Sequence, residues 1–276
     1  MKKSVSIFLL LLLCVCLFFL IWECYRLFSG KSLFPAPETR FELPEGLPSG
    51  DTAYIPICTG YELHKRQHYV LSYSEKERLA NWVAYELTPC ELIKTTDRSG
   101  RRFEKDATVK NGVQSYEYKN SGYDRGHLAP AADMSFSEEA MNESFLMSNI
   151  APQLPAFNRG IWSVLENQVR NWVRYNGALY VVTGSIWDER SKRIAKQSIP
   201  VPGYYYKILF DTNKSSKGMI VFLIPNSDVR NSIFDYVITV DSLERLTAID
   251  FFPQLPDSLE NTLEAVVRKG LWPITN

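Results

Sequence analysis

One short segment carries the residue types that hydrolytic chemistry uses. Asp124, Arg125 and His127 stand within four residues of one another, and the whole protein has only three histidines. Gly126 lies between the guanidinium and the imidazole, where the lack of a side chain lets a backbone approach a ligand closely. A carboxylate, an arginine and a histidine at this spacing indicate a site that binds an anionic group and transfers a proton.

Three further polar residues follow this segment. Asn149 begins the run Asn-Ile-Ala-Pro-Gln, Asn158 comes nine residues later, and Glu166 eight residues after that. Phosphodiester hydrolysis needs a base for water and a cation for the charge on the phosphoryl oxygens. Histidine can be the base, and an Asn oxygen with several waters is an adequate Mg²⁺ ligand set. These residues therefore predict a metal-assisted phosphodiesterase site.

The same residues carry a resemblance to a known family. The segment 124–127 resembles the DRGH motif of the sugar-nonspecific DNA/RNA endonucleases, the ββα-metal group that includes endonuclease G and the Serratia nuclease. In that family an Asn-x-x-Pro-Gln segment, a second Asn and a Glu follow at the spacings of Asn149, Asn158 and Glu166. The matched pattern covers about residues 68–190.

The resemblance implies a role for each matched residue. His127 is expected to be the general base, and Asn158 the protein ligand of Mg²⁺, or of another divalent ion such as Mn²⁺. Glu166 is expected to orient metal-bound water, and Arg125 to bind the substrate phosphate or organise the site. Asn149 is expected to orient His127 or the metal shell.

Two further expectations concern the neighbours of this set. The family has an upstream arginine that stabilises the transition state, and Arg101 or Arg102 is the expected counterpart. Asp124 is expected to accept hydrogen bonds rather than to bind the metal. A regular helix from Asn158 to Glu166 would separate them by about 12 Å along its axis, at ~1.5 Å per residue, which favours an indirect role for Glu166.

The expected enzyme is a Mg²⁺-dependent endonuclease acting on DNA and RNA, single and double stranded, and leaving 5′-phosphate ends. Two alternatives stay open, namely an exported phosphodiesterase with a non-nucleic-acid substrate and an inactive relative that binds nucleic acid. The formal net charge of zero favours the first, although local basic patches can still bind nucleic acid. Intact His127, Asn158 and Glu166 argue against the second. A homodimer is expected as an alternative to a monomer, because some relatives are dimers.

The elements that must position these residues predict an α+β fold. The resemblance implies a central antiparallel or mixed sheet, flanking helices and a ββα-metal finger from His127 to Asn158. Alternating or apolar runs predict strands, and helical spacing of apolar residues predicts helices. Asp241 is the expected N-cap of the helix in which it lies. The predicted strands cover 68–73, 80–87, 178–183, 204–210 and 218–224, and the predicted helices cover 137–147, 158–174, 240–249 and 259–269.

The N-terminal residues predict export. The run 5–22 has no charge and is about 18 residues long, near the lower limit for a membrane span. Residues 1–28 are therefore expected to be a signal anchor or a signal peptide, 29–50 a Pro/Gly-rich linker, and 51–276 the nuclease domain. Lys2 and Lys3 favour a body outside the cytoplasm. The body would then be anchored to the inner membrane facing the periplasm, or periplasmic or secreted after cleavage.

Five cysteines are present, and only Cys58 and Cys90 belong to the body of the protein. In an exported protein they form either one disulfide or two separate thiols. No pair of cysteines or histidines has the spacing of a structural zinc site, so a zinc hydrolase is a poor interpretation.

Overall fold

A seven-stranded sheet organises the molecule. The computed structural model describes residues 54–57, 62–196, 198–211 and 218–274. The strands of this sheet are β1 Glu62–Lys65, β2 Val70–Ser74, β3 Leu79–Leu87, β6 Leu179–Ile186, β9 Tyr204–Asp211, β10 Gly218–Pro225 and β11 Val237–Ile238. Their order is β1-β2-β3-β6-β9-β10-β11, and every neighbouring pair is antiparallel. The predicted α+β fold is confirmed, and its central sheet is antiparallel rather than mixed.

Four short strands lie outside this sheet. β4 Asp124–His127 pairs with β5 Ile150–Gln153, and β7 Arg193–Ile194 pairs with β8 Ile199–Pro200, in both cases antiparallel. The strand β4 consists of the DRGH residues themselves.

The central strands are buried on both faces, which explains their composition. β6 is buried over nearly its whole length, and in β9 successive side chains alternate between two apolar layers. Tyr205 and Leu209 belong to the first layer, whereas Tyr206, Ile208 and Phe210 belong to the second. Strands covered on both faces carry near-continuous apolar runs instead of alternating ones. For this reason the run near residue 180 was recognisable as a buried strand.

The first layer is built around α2 Ser163–Asn176, which follows α1 Glu138–Ser144 in the chain. A helical turn at Pro155–Phe157 and a π-helical segment at Asn158–Trp162 lead into α2. The predicted continuous helix 158–174 is therefore interrupted, because Gly160 has the non-helical angles φ −100° and ψ −118°. The buried stripe of α2 has helical spacing and consists of Leu165, Val169, Trp172 and Val173.

The second layer covers the opposite face of the sheet with α3 Val240–Thr247 and α4 Asp257–Glu264. The predicted N-cap Asp241 is wrong, because Thr239 accepts a hydrogen bond from the Ser242 amide at 3.2 Å and begins α3. The helix predicted at 259–269 begins and ends earlier. Trp272 packs in the first layer, so the chain must leave α4 and pass from one face of the sheet to the other.

Short 3₁₀ turns complete the described chain, at Pro89–Leu92, Ser115–Tyr118, Met147–Asn149, Ile233–Tyr236 and Lys269–Leu271.

Several expectations fall at or beyond the edge of the described residues. The signal segment 1–28 and the linker 29–50 lie outside them, and the limits of the domains stay a prediction. Within the described ranges, no helix has the length and apolarity that a membrane span requires. Cys90 is exposed with a free thiol, and its expected partner Cys58 lies outside the described residues.

Trp172 should be a main source of stability. Its ring lies against Phe222 and Trp272 with centroid distances of 6.0 and 5.3 Å, and its Nε1 donates to the Pro273 carbonyl at 2.7 Å. Replacing it by alanine should lower the free energy of unfolding by about 3–5 kcal/mol, through lost burial and a residual cavity. Tyr175 is on the same helix but is 71% exposed, so Tyr175→Ala should change the free energy of unfolding by only ~0.5 kcal/mol. Urea denaturation followed by circular dichroism measures both, and equal losses would contradict this packing.

Candidate active site

The DRGH strand and its partner form a small antiparallel finger. In β4 and β5, His127 pairs with Ile150, and Asp124 pairs with Gln153. A Cβ atom on Gly126 would lie 2.1 Å from Cδ of the buried Gln153 side chain. Only glycine therefore allows the two strands to come this close. Two strands followed by α2 give the ββα arrangement that the resemblance implies.

A cavity of about 480 Å³ lies beside this finger. His127, Asn158, Glu166 and Arg125 all line it, so the structure brings together four of the predicted site residues. Five basic and two acidic side chains line the same cavity, which gives a positive surface on a chain with zero net charge. Such a cleft attracts anionic ligands. The charged residues of the lining are Lys94, Asp97, Arg98, Arg125, Glu166, Arg170 and Arg174.

His127 has the properties of a neutral base. Its imidazole packs against Phe103 and Phe145, with centroid distances of 5.4 and 5.1 Å. Among the described residues, Nε2 has no hydrogen-bond partner. Burial, helped by the positive charge of Arg98, lowers the pKa of His127 to about 3. The ring is thus uncharged at physiological pH and has a nitrogen free to react.

Asn158 is fixed by Asp124. The Asn158 Nδ2 donates to Asp124 Oδ2 at 3.0 Å, and Arg159 donates to both oxygens of the same carboxylate at 2.9 and 2.7 Å. Burial opposes the ionisation of Asp124, but the hydrogen bonds from Arg159 and Asn158 outweigh it and lower the pKa. An ionised carboxylate can only accept, so the amide nitrogen must face Asp124 and Oδ1 must face away.

The arrangement at Asn158 suits a divalent metal ion. The Asn158 Oδ1 is a hard oxygen donor on the cavity wall, and the carboxylate of Glu166 lines the same space. Mg²⁺ prefers oxygen ligands and keeps several waters, so one amide oxygen with water and a nearby carboxylate is a sufficient set. The irregular backbone at Gly160 lies between the two residues, so the spacing of a regular helix does not apply to them.

A group of buried charges lies beneath Glu166. Lys207 is only 1% exposed, donates to Thr183 Oγ1, and places its Nζ 5.1 Å from the Trp162 ring centroid. Burial raises the pKa of Glu166, although the positive charges of Lys207 and Arg170 oppose this. Burial also lowers the pKa of Lys207. The protonation of the Glu166 carboxylate therefore depends on cations that the protein itself buries.

Arg170 and Asp133 complete this group. Arg170 donates to Asp133 at 2.6 Å, and the Tyr85 hydroxyl donates to the other oxygen of Asp133 at 2.7 Å. Lys207 and Arg170 were not among the predicted site residues, although the sequence carries a signal for each. Lys207 stands in the apolar strand Tyr-Tyr-Tyr-Lys-Ile-Leu-Phe, where an unpaired charge is unfavourable, and Arg170 follows Glu166 by one helical turn.

The upstream arginine that reaches the cavity is Arg98. Arg101 instead donates to Thr96 at 3.0 Å and also bonds Glu138 and Asn142, so α1 holds it outside the lining. Arg102 is exposed and likewise absent from the described lining. The sequence could not separate three arginines within five residues, because the irregular backbone there decides which one turns inward.

Arg125 and Asn149 have well-defined contacts. Arg125 donates through Nε and Nη2 to the Ser115 carbonyl at 3.0 and 2.6 Å, and its guanidinium lies 5.6 Å from the Phe103 ring. Asn149 is fully buried, and its amide exchanges hydrogen bonds of 2.9 Å with both the N–H and the carbonyl of Ala129. Its bonds go to the backbone just after His127, not to the imidazole. Asn149 therefore acts on His127 through the backbone and not through a direct bond.

The sequence model of the family described as DNA/RNA non-specific endonuclease matches residues 51–258. The chain belongs to this family. It is an endonuclease, and thus a hydrolase, of a metal-dependent and DNA/RNA non-specific kind.

Comparisons with individual relatives agree with this assignment. The chain is 32% identical to a nuclease of Syncephalastrum racemosum, over 71% of this chain and 69% of that protein. It is 31% identical to the mitochondrial endonuclease G of Bos taurus, over 77% of this chain and 76% of that protein. Among solved structures, EndoG in the EndoG/EndoGI complex matches with a TM-score of 0.66 and 29% identity, over 70% of this chain and 86% of that one.

Removing the Asp124 carboxylate should weaken metal binding by this endonuclease. In Asp124→Ala, the Asn158 amide loses the acceptor that orients it, and the affinity for a divalent ion should fall by about 10–100-fold, as for other partners of metal ligands. Activity as a function of metal concentration measures this change. Arg159→Ala is the control, since Arg159 is 73% exposed and its loss leaves the Asp124–Asn158 bond in place. An unchanged metal dependence in Asp124→Ala would rule out the orienting role.

The environment of His127 should make the protein less stable as the pH falls. The pKa of its imidazole is about 3 in the folded protein and 6.5 without these contacts. Between these values the unfolded state binds a proton that the folded state does not bind, so folding becomes less favourable as the pH decreases. His127→Asn should remove this contribution. Urea midpoints at pH 7 and pH 5 in EDTA test this, and an identical pH dependence in the variant would contradict it.

Proposed function

We propose that this endonuclease hydrolyses DNA and RNA with Mg²⁺, that His127 is the general base and that Asn158 is the protein ligand of the ion. The observation that carries the proposal is the meeting of three features in one cavity. These are a neutral imidazole with an unpartnered Nε2, an amide oxygen turned away from Asp124, and a lining of mainly basic side chains.

The residues divide the work of an in-line displacement at phosphorus. His127 accepts a proton from the attacking water at its free nitrogen, a transfer that a neutral imidazole can perform. Arg98 binds the non-bridging phosphate oxygens, for which a guanidinium has a matching fork of donors. Arg125 donates through Nε and Nη2 to the Ser115 carbonyl, so it contacts the phosphate with its remaining N–H groups. Glu166 accepts hydrogen bonds from water and fixes its direction. Asn158 would hold a divalent ion, which would neutralise the charge that develops during phosphoryl transfer.

The lack of sequence and sugar preference follows from the same side chains. Arginines, a lysine and a metal ion would contact phosphate groups, and phosphate contacts carry no information on base identity. Bond cleavage at the 3′ oxygen would leave 5′-phosphate and 3′-hydroxyl ends. An inactive nucleic-acid-binding role is disfavoured, since every group that the mechanism needs lines the cavity.

The decisive experiment is cleavage of plasmid DNA and of RNA by residues 36–276, with Mg²⁺ and with EDTA. Wild-type protein should degrade both substrates only with Mg²⁺, and His127→Ala should be inactive. His68→Gln is the matched control, because His68 bonds Glu143 outside the cavity. DNA fragments should be joined by a ligase without prior phosphorylation. Fragments that need a kinase first would refute the proposed ends, and activity in EDTA would refute the metal.

Arg98 should matter to catalysis more than Arg101 or Arg102. Losing Arg98 removes a donor that faces the phosphate site, so kcat/KM of Arg98→Ala should fall by about 10²–10³, as for other transition-state donors. Arg101→Ala and Arg102→Ala should keep most of the activity. Initial rates on a short fluorescent DNA substrate compare the three. A larger loss in Arg101→Ala than in Arg98→Ala would favour the original sequence interpretation.

We also propose that the body acts outside the cytoplasm. The support is the uncharged run 5–22 behind Lys2 and Lys3. Expression of the full chain followed by cell fractionation and an accessibility assay with external protease tests the location. Full-length protein in the cytosol, inaccessible to the protease, would overturn it.

A further inference from the structure

Three acidic side chains lie close together on the sheet face opposite the catalytic cavity. Asp241 and Glu244 project from α3, and Glu264 from α4. One carboxylate oxygen from each of the three lies within 4.8 Å of the others. None of the three lines the catalytic cavity as described.

Glu264 is the unusual member of this group. It is only 5% exposed, and its Oε1 has no hydrogen-bond partner among the described residues. It shares the buried side of α4 with Leu259 and Leu263. It is also the last residue of α4, where the partial negative charge of the helix end disfavours an anion. A buried carboxylate without a partner is unfavourable unless a proton or a cation neutralises it.

The residues around Glu264 make ionisation of its carboxyl group still less favourable when no cation is bound. Burial raises the pKa of Glu264 to about 9, and the negative charges of Glu244, Glu260, Asp241 and Asp250 add to this shift.

The pKa values of Glu244 and Glu260 are raised as well, in each case by burial first. The positive group that acts on Glu244 is Arg245, whose Nη2 donates to Ser242 Oγ at 3.0 Å.

We propose that Asp241, Glu244 and Glu264 bind a hard divalent cation, Ca²⁺ by preference, which links α3 to α4. Two oxygens that bind the same Ca²⁺, each at ~2.4 Å from the ion, lie no more than about 4.8 Å apart, and the three carboxylate oxygens meet this limit. Glu244 Oε1 accepts from the Phe251 amide at 2.8 Å, and its second oxygen remains for the ion. With no sulfur or imidazole in the group, softer metals have no particular advantage.

The site would stabilise the fold rather than take part in the reaction. Both helices pack on the second apolar layer through Leu243, Leu259 and Leu263. Without an ion, Glu264 must hold a proton, because three ionised carboxylates this close together would repel one another. Binding of Ca²⁺ therefore favours the docked arrangement and raises thermal stability by mass action.

Isothermal titration with Ca²⁺ tests the proposal directly. The titration uses residues 36–276 carrying Asn158→Ala, so that the catalytic ligand does not contribute. This protein should bind one Ca²⁺, and the further change Glu264→Gln should abolish the binding heat. Asp241→Asn is a second variant that should weaken binding at least tenfold. Glu139→Gln is the matched control, since Glu139 is an exposed glutamate on α1 and should leave binding unchanged.

Thermal unfolding distinguishes an ion from a proton. At a Ca²⁺ concentration of 100 times Kd, the Tm of the Asn158→Ala protein should rise by about 5–10 °C, and that of its Glu264→Gln derivative should not respond. In EDTA, Glu264→Gln should be at least as stable as its parent, because it removes repulsion. A parent with no Ca²⁺ response shows that Glu264 is simply protonated, and an unchanged response in Glu264→Gln places the ion elsewhere. Either result overturns the proposal.

Discussion

The hydrogen bond between Asp124 and Asn158 joins the two parts of the molecule that the site needs. Asp124 begins β4, and Asn158 lies in the helical segment that leads into α2, so one contact sets the position of the strand relative to the helix. Its direction is fixed, because an ionised carboxylate offers no donor. The amide oxygen then has to face the cavity. The same strand carries His127, so one hydrogen bond fixes the proposed base and the proposed metal ligand relative to each other.

The double-sided sheet explains how a nearly neutral chain can present a basic cleft. Apolar layers fill both faces, so charged side chains reach the interior only where others neutralise them. Lys207, Glu166, Arg170 and Asp133 form such a set, in which Glu166 and Arg170 line the cavity and neighbouring members are opposite in charge. On the other face, the positive group that acts on Glu244 is Arg245, which donates to Ser242. Positive charge is concentrated on the catalytic side, while negative charge gathers between α3 and α4.

The sequence predicted those parts of the site that are defined by the number of residues between them along the chain. The separations along the chain from His127 to Asn149, Asn158 and Glu166 indicated both the family and the ββα-metal finger. The apolar runs predicted the strands of the sheet. The features that spacing along the chain could not determine depend on where the chain turns in space. Arg98 rather than Arg101 faces the cavity, Thr239 rather than Asp241 caps α3, and the helix after Asn158 is interrupted. In each case neighbouring residues of similar type compete locally, and tertiary contacts decide between them.

The bonding of Asn149 has a consequence for the chemical ageing of the enzyme. Its two amide hydrogens go to the carbonyls of Ala129 and Ser144, and its oxygen accepts from the Ala129 amide. Aspartate has the same size but no donors, so deamidation would set a carboxylate against two carbonyl oxygens in a fully buried place. An aged molecule would keep every side chain that touches the substrate. It would still lose the backbone geometry behind His127, and so fail without any change at the reacting atoms.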